Sequence, residues 1–417
     1  MNVKVLGCIT VDDNNKVIEP GSTIGILGGG QLGRMIILAG KAMGYRFVTL
    51  DPHSKCPAAQ VSDDHIVSKF DDFKGADYLG RNSEVITYEF ENVDSAVANR
   101  LEEKYYLPQG SLLLKITQNR SNEKSVLRSL GLPVAPFEVI KRDPYEVINN
   151  EPLTHLKLVS KDERRLETAL LKAVDNLGMP AVMKTTTGGY DGKGQWFIRN
   201  ERDFISASNA FNRIEFVNSD FIVEKFVPFE RELSVIVARN KKGEIETYPV
   251  AENIHNNSIL HMTIVPARIP VEAQEQAQKI AKQLAIDIDL IGLLAIEMFY
   301  KEDGTIYINE LAPRPHNSGH YTMDACMTSQ FEQHVRAICN LPLGKTDLLT
   351  PVVMVNLLGQ HIAPFMESIP NMPKEVKFHL YGKSEAVYNR KMGHINVLSA
   401  SVEDALSIIN NLPFIDA

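Results

Sequence analysis

Apolar and polar positions change their period several times along the chain. From Thr23 to Leu27 an apolar run ends in Gly28-Gly29-Gly30-Gln31-Leu32-Gly33, an apolar helical stretch follows to Met43, and a second apolar run covers Arg46 to Leu50. Strand, glycine-rich turn, helix and strand in that order predict a βαβ unit. Val85 to Phe90 adds a further strand, and Pro108-Gln109-Gly110 marks a boundary near the end of a first domain. Val126, Leu127 and Leu130 space a helix over Ser121 to Leu130, which Gly131, Pro133 and Pro136 stop. Residues 138–167 are charged and poorly patterned, and read as surface ahead of a helix at Leu166 to Asn176. Strands are expected at 181–185, 195–198, 221–226, 233–238, 245–250, 293–300 and 305–311, with a helix over 271–284. The fold class is α/β at the start and mixed α+β after it. Residues 1–21 form a polar, turn-rich lead.

Composition narrows the partners. A chain of 417 residues, 44% hydrophobic, can bury several cores in about two to four domains. Its net charge of -8 supplies no basic field, so nucleic acid is not expected as a partner and any phosphate must be held by local groups. Cys8, Cys56, Cys326 and Cys339 form no CxxC pair and fit reduced packing thiols. No run of 18 apolar residues and no secretory leader pattern occurs, so no membrane span and a cytoplasmic location are expected.

Two glycine-rich loops carry the first candidate chemistry. Gly28-x-Gly30-x-x-Gly33, with Asp51 about 20 residues on, has the form of a dinucleotide-binding turn and alone suggests NAD; the same spacing also serves a plain tight βα turn. The second loop, Gly188-Gly189-Tyr190-Asp191-Gly192-Lys193-Gly194-Gln195, lies between strands and follows Lys184. Four glycines in seven residues expose backbone N–H groups that can fold over a triphosphate, with Lys184 and Lys193 as point charges. It is not a Walker A sequence, because no Gly-Lys-Ser/Thr follows.

Further on, Glu224-Lys225-Phe226-Val227 ends a strand that Pro228 breaks, leaving backbone able to pair with an adenine edge. Glu232 alternates out of the core-facing set Leu233, Val235 and Val237 and can reach a ribose hydroxyl, or is a solvated edge carboxylate. Strands 293–300 and 305–311 read as a hairpin whose two-residue turn, Glu302-Asp303, sets Glu297 opposite Ile308, with Glu310 diagonal on the same face. Two close carboxylates in an apolar hairpin call for a hard cation such as magnesium or manganese, with Asn309 as an added oxygen ligand; a surface charge pair is the alternative.

With these elements in order, the chain resembles the 5-(carboxyamino)imidazole ribonucleotide synthases, ATP-grasp enzymes of purine biosynthesis, from Thr23 to near Leu398. Gly188 to Gln195, Asn309-Glu310-Leu311-Ala312-Pro313-Arg314-Pro315-His316-Asn317-Ser318-Gly319-His320 and Arg390-Lys391-Met392-Gly393-His394 look like that family's signatures. The resemblance implies an ATP-grasp architecture with an N-terminal Rossmann-like domain, a mobile lid lobe and a C-terminal lobe. The expected division is 1–21 extension, 22–118 Rossmann-like domain, 119–225 lobe with lid, 226–350 lobe with metal site and 351–417 C-terminal subdomain. It implies ATP, bicarbonate and 5-aminoimidazole ribonucleotide as substrates and a homodimer. ATP would contact Arg120, Lys184, Tyr190, Asp191, Gly192, Lys193, Gly194, Gln195, Glu224 to Val227, Glu232, His255, Asn309 and Glu310.

Carried over in the same way, Glu297 and Glu310 hold the metal. Gln31, Leu32, Glu89, Lys383, Arg390 and Lys391 bind the ribonucleotide. Tyr190, Asp191, Lys193, Arg314, His316 and Asn317 serve the chemistry, and His320 joins them in positioning bicarbonate and shuttling protons or else belongs to the core. Lys383 and Arg390 flank a short polar turn, as a 5′-phosphate requires, although solvated surface has the same composition. The rival within the fold is a formate-dependent glycinamide ribonucleotide transformylase, against which Tyr190-Asp191 and His316 to His320 speak by resemblance.

Overall fold

The computed structural model describes residues 16–142, 155–188, 192–213, 216 and 219–415. The first unit is a parallel sheet of β1 (Thr23–Leu27), β2 (Arg46–Asp51), β3 (Asp64–Val67) and β4 (Val85–Tyr88) in the order β3-β2-β1-β4. Helices α1 (Gln31–Ala42), α2 (Phe73–Arg81) and α3 (Ser95–Lys104) cover it. β1 and β4 are buried almost throughout, which is why they read as continuous apolar runs and not as alternation. The lead is anchored at its described end. Ile18 is buried, its N–H donates to the Cys339 carbonyl at 3.0 Å, and its own carbonyl accepts from the Tyr45 hydroxyl at 2.6 Å.

Helices α4 (Leu112–Thr117) and α5 (Arg120–Ser129) lead out of this unit. Asn119 caps α5 by accepting from the N–H groups of Ser121 and Asn122, and Gly131, at φ +72°, lets the chain turn away. An antiparallel sheet follows, built from β5 (Phe137–Ile140), β6 (Ala181–Thr185), β7 (Gln195–Ile198) and β8 (Phe221–Lys225) in the order β5-β8-β6-β7. Helices α6 (His155–Leu177) and α7 (Glu201–Ser208) accompany it. Here the expectation of unpatterned surface over 138–167 fails at both ends. β5 carries the charged Glu138 between Phe137 and Val139 and has no glycine stop, and α6 starts well before Leu166. Leu166, Leu170, Ala173, Val174 and Leu177 form the stripe that packs α6 on the sheet with Phe211 and Phe221.

The rest of the chain forms one nine-stranded sheet of β9 (Arg231–Arg239), β10 (Ile245–Thr247), β11 (Ala251–Asn256), β12 (Ile259–Val265), β13 (Gly292–Tyr300), β14 (Ile306–Ala312), β15 (Val352–Leu358), β16 (Val376–Leu380) and β17 (Lys391–Leu398). Its order is β14-β13-β9-β11-β12-β15-β17-β16, with β10 on β9. The C-terminal strands therefore continue this sheet through the β12–β15 pairing. Helix α8 (Val271–Asp287) packs on one face through its alanine stripe, while α9 (Thr322–Ala325) and α10 (Gln330–Ile338) lie on the other. α11 (Ile362–Ser368) and α12 (Val402–Asn410) close the C-terminal end.

Three fully buried imidazoles make this assembly sensitive to acid. Burial drives His320, His334 and His394 down from the ordinary imidazole value, His334 to about 3. The unfolded chain therefore binds protons below pH of about 6.5 that the folded chain refuses, and stability is lost as pH falls from there. Glu297, raised to about 7, works in the opposite sense, so the informative quantity is a difference between variants. His334→Gln is expected to lose about 2 kcal/mol less than wild type between pH 7 and pH 5, read by denaturant titration at each pH. Equal losses would contradict the assignment.

Candidate active site

The site lies where β13 and β14 face the lid sheet and the first unit. The hairpin turn is one residue longer than expected: the Lys301 N–H donates to Thr305, Gly304 sits at φ +83°, and Tyr300 pairs with Ile306. A bulge then adds a second residue, so that Met298 pairs with Ile308 but Glu297 with Glu310. Each one-residue shift alone would turn the β14 side chains to the other face; together they preserve it. Glu310 thus stands directly across from Glu297, not diagonal to it, and Asn309 is the extra residue. This corrects the expected pairing of Glu297 with Ile308.

The chemistry of this apposition suits a cation. Burial and then the Glu310 charge raise Glu297 to about 7. Asn309 presents a buried Oδ1 that has no hydrogen-bond partner. Among the described residues no cluster of three or more His, Cys, Asp or Glu side chains is arranged to hold a metal unaided. Two carboxylates and an amide oxygen therefore fit a hard divalent ion whose remaining ligands come with a phosphate chain.

Across the cleft, Lys184 in β6 places its Nζ 3.2 Å from Glu224 Oε2 in β8, and Lys124 of α5 lies 3.8 Å from the same oxygen. Burial alone would raise Glu224, but the two ammonium groups outweigh it and hold the carboxyl below its ordinary range. The N–H groups of Lys225 and Phe226 donate to Pro136 and Pro180, and the Val227 carbonyl accepts from the Phe229 N–H at 2.9 Å, so a ligand edge would meet this hinge at the Val227 N–H. Arg120, the first residue of α5, reaches the Thr185 carbonyl at 3.1 Å beside the glycine loop. Gly188, Gly192 and Gly194 all take positive φ, and the Gly194 carbonyl accepts from Thr185 at the base of β7. Gln195 pairs with Lys184 across β6 and β7, while Lys193 is exposed. Gly189, Tyr190 and Asp191 lie outside the described residues.

On the C-terminal lobe Glu232 Oε2 meets His255 Nδ1 at 2.8 Å, an ion pair between β9 and β11. Burial opposes protonation of His255, yet Glu232 prevails and its pKa is raised. Arg314 pairs with Glu91 of the first unit at 2.9 Å, and His316 Nε2 stands 3.4 Å from Glu297 Oε1. Burial, then the charges of Arg314 and Lys391, keep His316 well below its ordinary value and therefore neutral. Both polar atoms of the Asn317 amide are buried without a partner. His320 does not join them: it is fully buried, its ring tilted against that of His394 at 4.8 Å and its Nδ1 3.1 Å from Gln330 Nε2, and it belongs to the core.

The first glycine loop is filled from within. Gly30 donates to Glu89 Oε1 at 2.7 Å, Gly33 to Glu89 Oε2 at 3.2 Å, and Gly29 to Asp51 Oδ2 at 2.9 Å. These are the N–H groups and the acidic residue that a dinucleotide would use, so the NAD reading is set aside: a carboxylate of the chain itself takes the place of the pyrophosphate. Gly28 permits the approach, because a Cβ there would stand 2.6 Å from Glu89 Oε1. Gln31 remains half-exposed at the head of α1, whereas the Leu32 side chain is in the core and only its backbone can meet a ligand.

Facing this loop, Lys383 donates to the Lys391 carbonyl at 2.6 Å, and burial together with the charges of Arg390 and Lys391 lowers its pKa to about 8. The charge of Lys391 also reaches Glu297, His255 and His316. A set of mutually repelling cations is arranged for an anion. Sequence reading missed Glu91, Glu123 and Lys124. The last two carried a signal, ionisable residues four and three positions before buried Leu127 on one helix face.

This architecture and site are those of the ATP-grasp class. The ATP-grasp domain matches residues 154–331, the ribonucleotide synthetase preATP-grasp domain residues 22–118, and the phosphoribosylaminoimidazole carboxylase C-terminal domain residues 352–407. The chain belongs to the N5-carboxyaminoimidazole ribonucleotide synthase family, a family of ATP-dependent ligases. It is 46% identical over 398 residues to the N5-carboxyaminoimidazole ribonucleotide synthase of Bacillus subtilis (strain 168), covering 95% of this chain and 97% of that one. The structure of the Staphylococcus aureus N5-carboxyaminoimidazole synthetase complexed with ADP is similar at TM-score 0.85 and 37% identity, over 96% of this chain and 99% of that one. The Aspergillus clavatus synthase in complex with ADP and 5-aminoimidazole ribonucleotide is similar at TM-score 0.81 and 29% identity, over 97% and 99%.

Proposed function

We propose that the chain carboxylates 5-aminoimidazole ribonucleotide with bicarbonate at the expense of ATP, giving N5-carboxyaminoimidazole ribonucleotide, ADP and phosphate in purine biosynthesis. The observation that carries this reading is the meeting of a carboxylate pair, a lysine-lined nucleotide cleft and a cationic pocket at one site, in a chain 46% identical to a synthase of that name. Formylation of glycinamide ribonucleotide is not favoured, because the curated relatives are carboxylating synthases by name.

In the first step a bicarbonate oxygen attacks the γ-phosphorus of ATP, the bond to the β–γ bridging oxygen breaks, and ADP leaves carboxyphosphate behind. Lys184 and Arg120 offset charge on the phosphoryl oxygens, the chain at Val227 meets the adenine edge, and Glu232 with His255 holds the ribose. Glu297, Glu310 and Asn309 would hold magnesium or manganese, which when bound neutralises phosphate charge. The loop from Tyr190 to Gln195 shields the labile acyl phosphate from water.

Carboxyphosphate then breaks its bond between the carboxyl carbon and the bridging oxygen, releasing carbon dioxide and phosphate. Arg314 and Asn317 retain the carbon dioxide, and the exocyclic amine adds to its carbon and loses one proton. His316 is held neutral by burial and the neighbouring cations, and its Nδ1 accepts from the Ser318 N–H at 3.3 Å. Its Nε2, 3.4 Å from Glu297, therefore positions the reacting groups, while the proton leaves with the departing phosphate. Lys383, Arg390 and Lys391 bind the 5′-phosphate, while Gln31, the Leu32 backbone and Glu89 line the ribose side.

The same reading divides the chain at 22–118, 119–225, 226–350 and 351–417 and makes the protein a cytoplasmic homodimer. Cys56, Cys326 and Cys339 are buried free thiols, and no helix among the described residues is long and apolar enough to cross a membrane. The test is ADP release with each substrate omitted in turn. Rapid release is expected only when bicarbonate and aminoimidazole ribonucleotide are both present. Release sustained by formate in bicarbonate-free buffer would overturn the proposal.

A further inference from the structure

Helix α5 buries two ionisable side chains, Glu123 at 1% and Lys124 at 2% exposure, where a helix ordinarily presents apolar groups. Removing charges from water is costly, and Glu123 Oε1 is buried without a partner, so the bonds these side chains do make point to a role. Both turn toward β14, and they hold it on either side of the bulge. Lys124 Nζ donates to the Ile308 carbonyl at 3.1 Å, and Glu123 Oε2 accepts from the Leu311 N–H at 3.2 Å. Between those two bonds lie only Asn309 and Glu310. The Ile308 N–H is fixed too, donating to the Pro133 carbonyl at 2.7 Å just beyond α5.

The bulge needs such support. A residue inserted into an antiparallel pair leaves ladder groups unpaired, and among the described residues β14 is the edge strand of its sheet, met on its outer side only by the single bridge of Val134 to Ile308. Slippage by one residue would carry Glu310 away from Glu297. The α5 bonds fall on backbone groups flanking the insertion and therefore select this register. Lys124 also approaches Glu224, the carboxylate that carries Lys184, so one helix touches both the nucleotide side and the carboxylate side of the cleft.

We propose that Glu123 is a positioning residue: through the Leu311 N–H, with Lys124 on the opposite side of the bulge, it holds Glu310 and Asn309 where a divalent cation can join them to Glu297. This rests on the cation assignment made above, and the test separates the two. Manganese binding to the ADP complex is measured by electron paramagnetic resonance in wild type, Glu123→Gln and Glu123→Asp, with the thermal midpoint of each. Glutamine keeps the reach and an accepting oxygen but loses the charge; aspartate keeps the charge but is one methylene too short.

A residue that orients a ligand without touching the metal commonly changes metal affinity by about 10–100-fold. Glu123→Gln is therefore expected within about threefold of wild type, and Glu123→Asp weakened about tenfold or more, with both folded. The reverse order, equal losses in the two variants, or wild-type affinity in both would overturn the positioning role. Absence of manganese binding by wild-type protein with ADP would instead overturn the cation assignment itself.

Discussion

Replacing Glu310 by alanine is expected to lower kcat about 10³-fold at saturating ATP while leaving the thermal midpoint within a few degrees of wild type. A divalent ion that neutralises a transferring phosphoryl group supplies several kcal/mol of transition-state stabilisation, and Glu310 is half of the carboxylate pair proposed to hold it. The side chain is exposed, so its loss costs little packing. Without a cation, the facing carboxylates repel; truncation removes that repulsion and lets Glu297 fall from about 7 toward its ordinary value, although its burial remains. Steady-state rates across a magnesium titration, with calorimetric melting, check the prediction. Wild-type kcat would remove the carboxylate pair from the mechanism.

Lys184→Met is expected to reduce kcat/KM for ATP about 10²- to 10³-fold, the usual effect of deleting one charged donor to a developing anion. Its stability consequence differs from that of Glu310. Lys184 offsets the buried Glu224, and in its absence Lys124, 3.8 Å away, and the weaker influence of the Arg120 charge are left to oppose that carboxylate's burial. The variant should therefore also melt earlier, by more than Glu310→Ala does. Lys184→Arg should recover stability more fully than activity, because a guanidinium restores the charge but not the compact ammonium. An arginine variant with full activity, or a methionine variant with unchanged kcat/KM, would contradict the phosphate role.

The βαβ start, the strands around Lys184 and the β13–β14 hairpin were readable in the sequence because each has a strong apolar period or a glycine stop. β5 was not, because Glu138 interrupts its apolar run and no glycine bounds it, and β15 to β17 yielded to sequence only through the resemblance at Arg390 to His394. The carboxylate pair reads with the wrong register from strict alternation: the longer turn leaves the apolar period unchanged, and the mark of the Asn309 bulge is only the spacing of three between the core-facing Ile308 and Leu311. The dinucleotide fingerprint misled for a related reason: its spacing specifies a tight turn behind a helix, and not what fills that turn. Only the fold brings Glu89, 59 residues beyond Gly30, onto those N–H groups. Glu91 escaped notice because its partner, Arg314, lies in another lobe.

In the proposed reaction bicarbonate is activated by direct transfer of the γ-phosphoryl group. Bicarbonate labelled with ¹³C and ¹⁸O, in a complete reaction with ATP and aminoimidazole ribonucleotide, tests it in one experiment read by phosphorus NMR and mass spectrometry. Attack through a bicarbonate oxygen predicts one ¹⁸O in each phosphate released and ¹³C in the carbamate on the exocyclic nitrogen. Phosphate free of ¹⁸O, with its new oxygen drawn from water, would contradict the account.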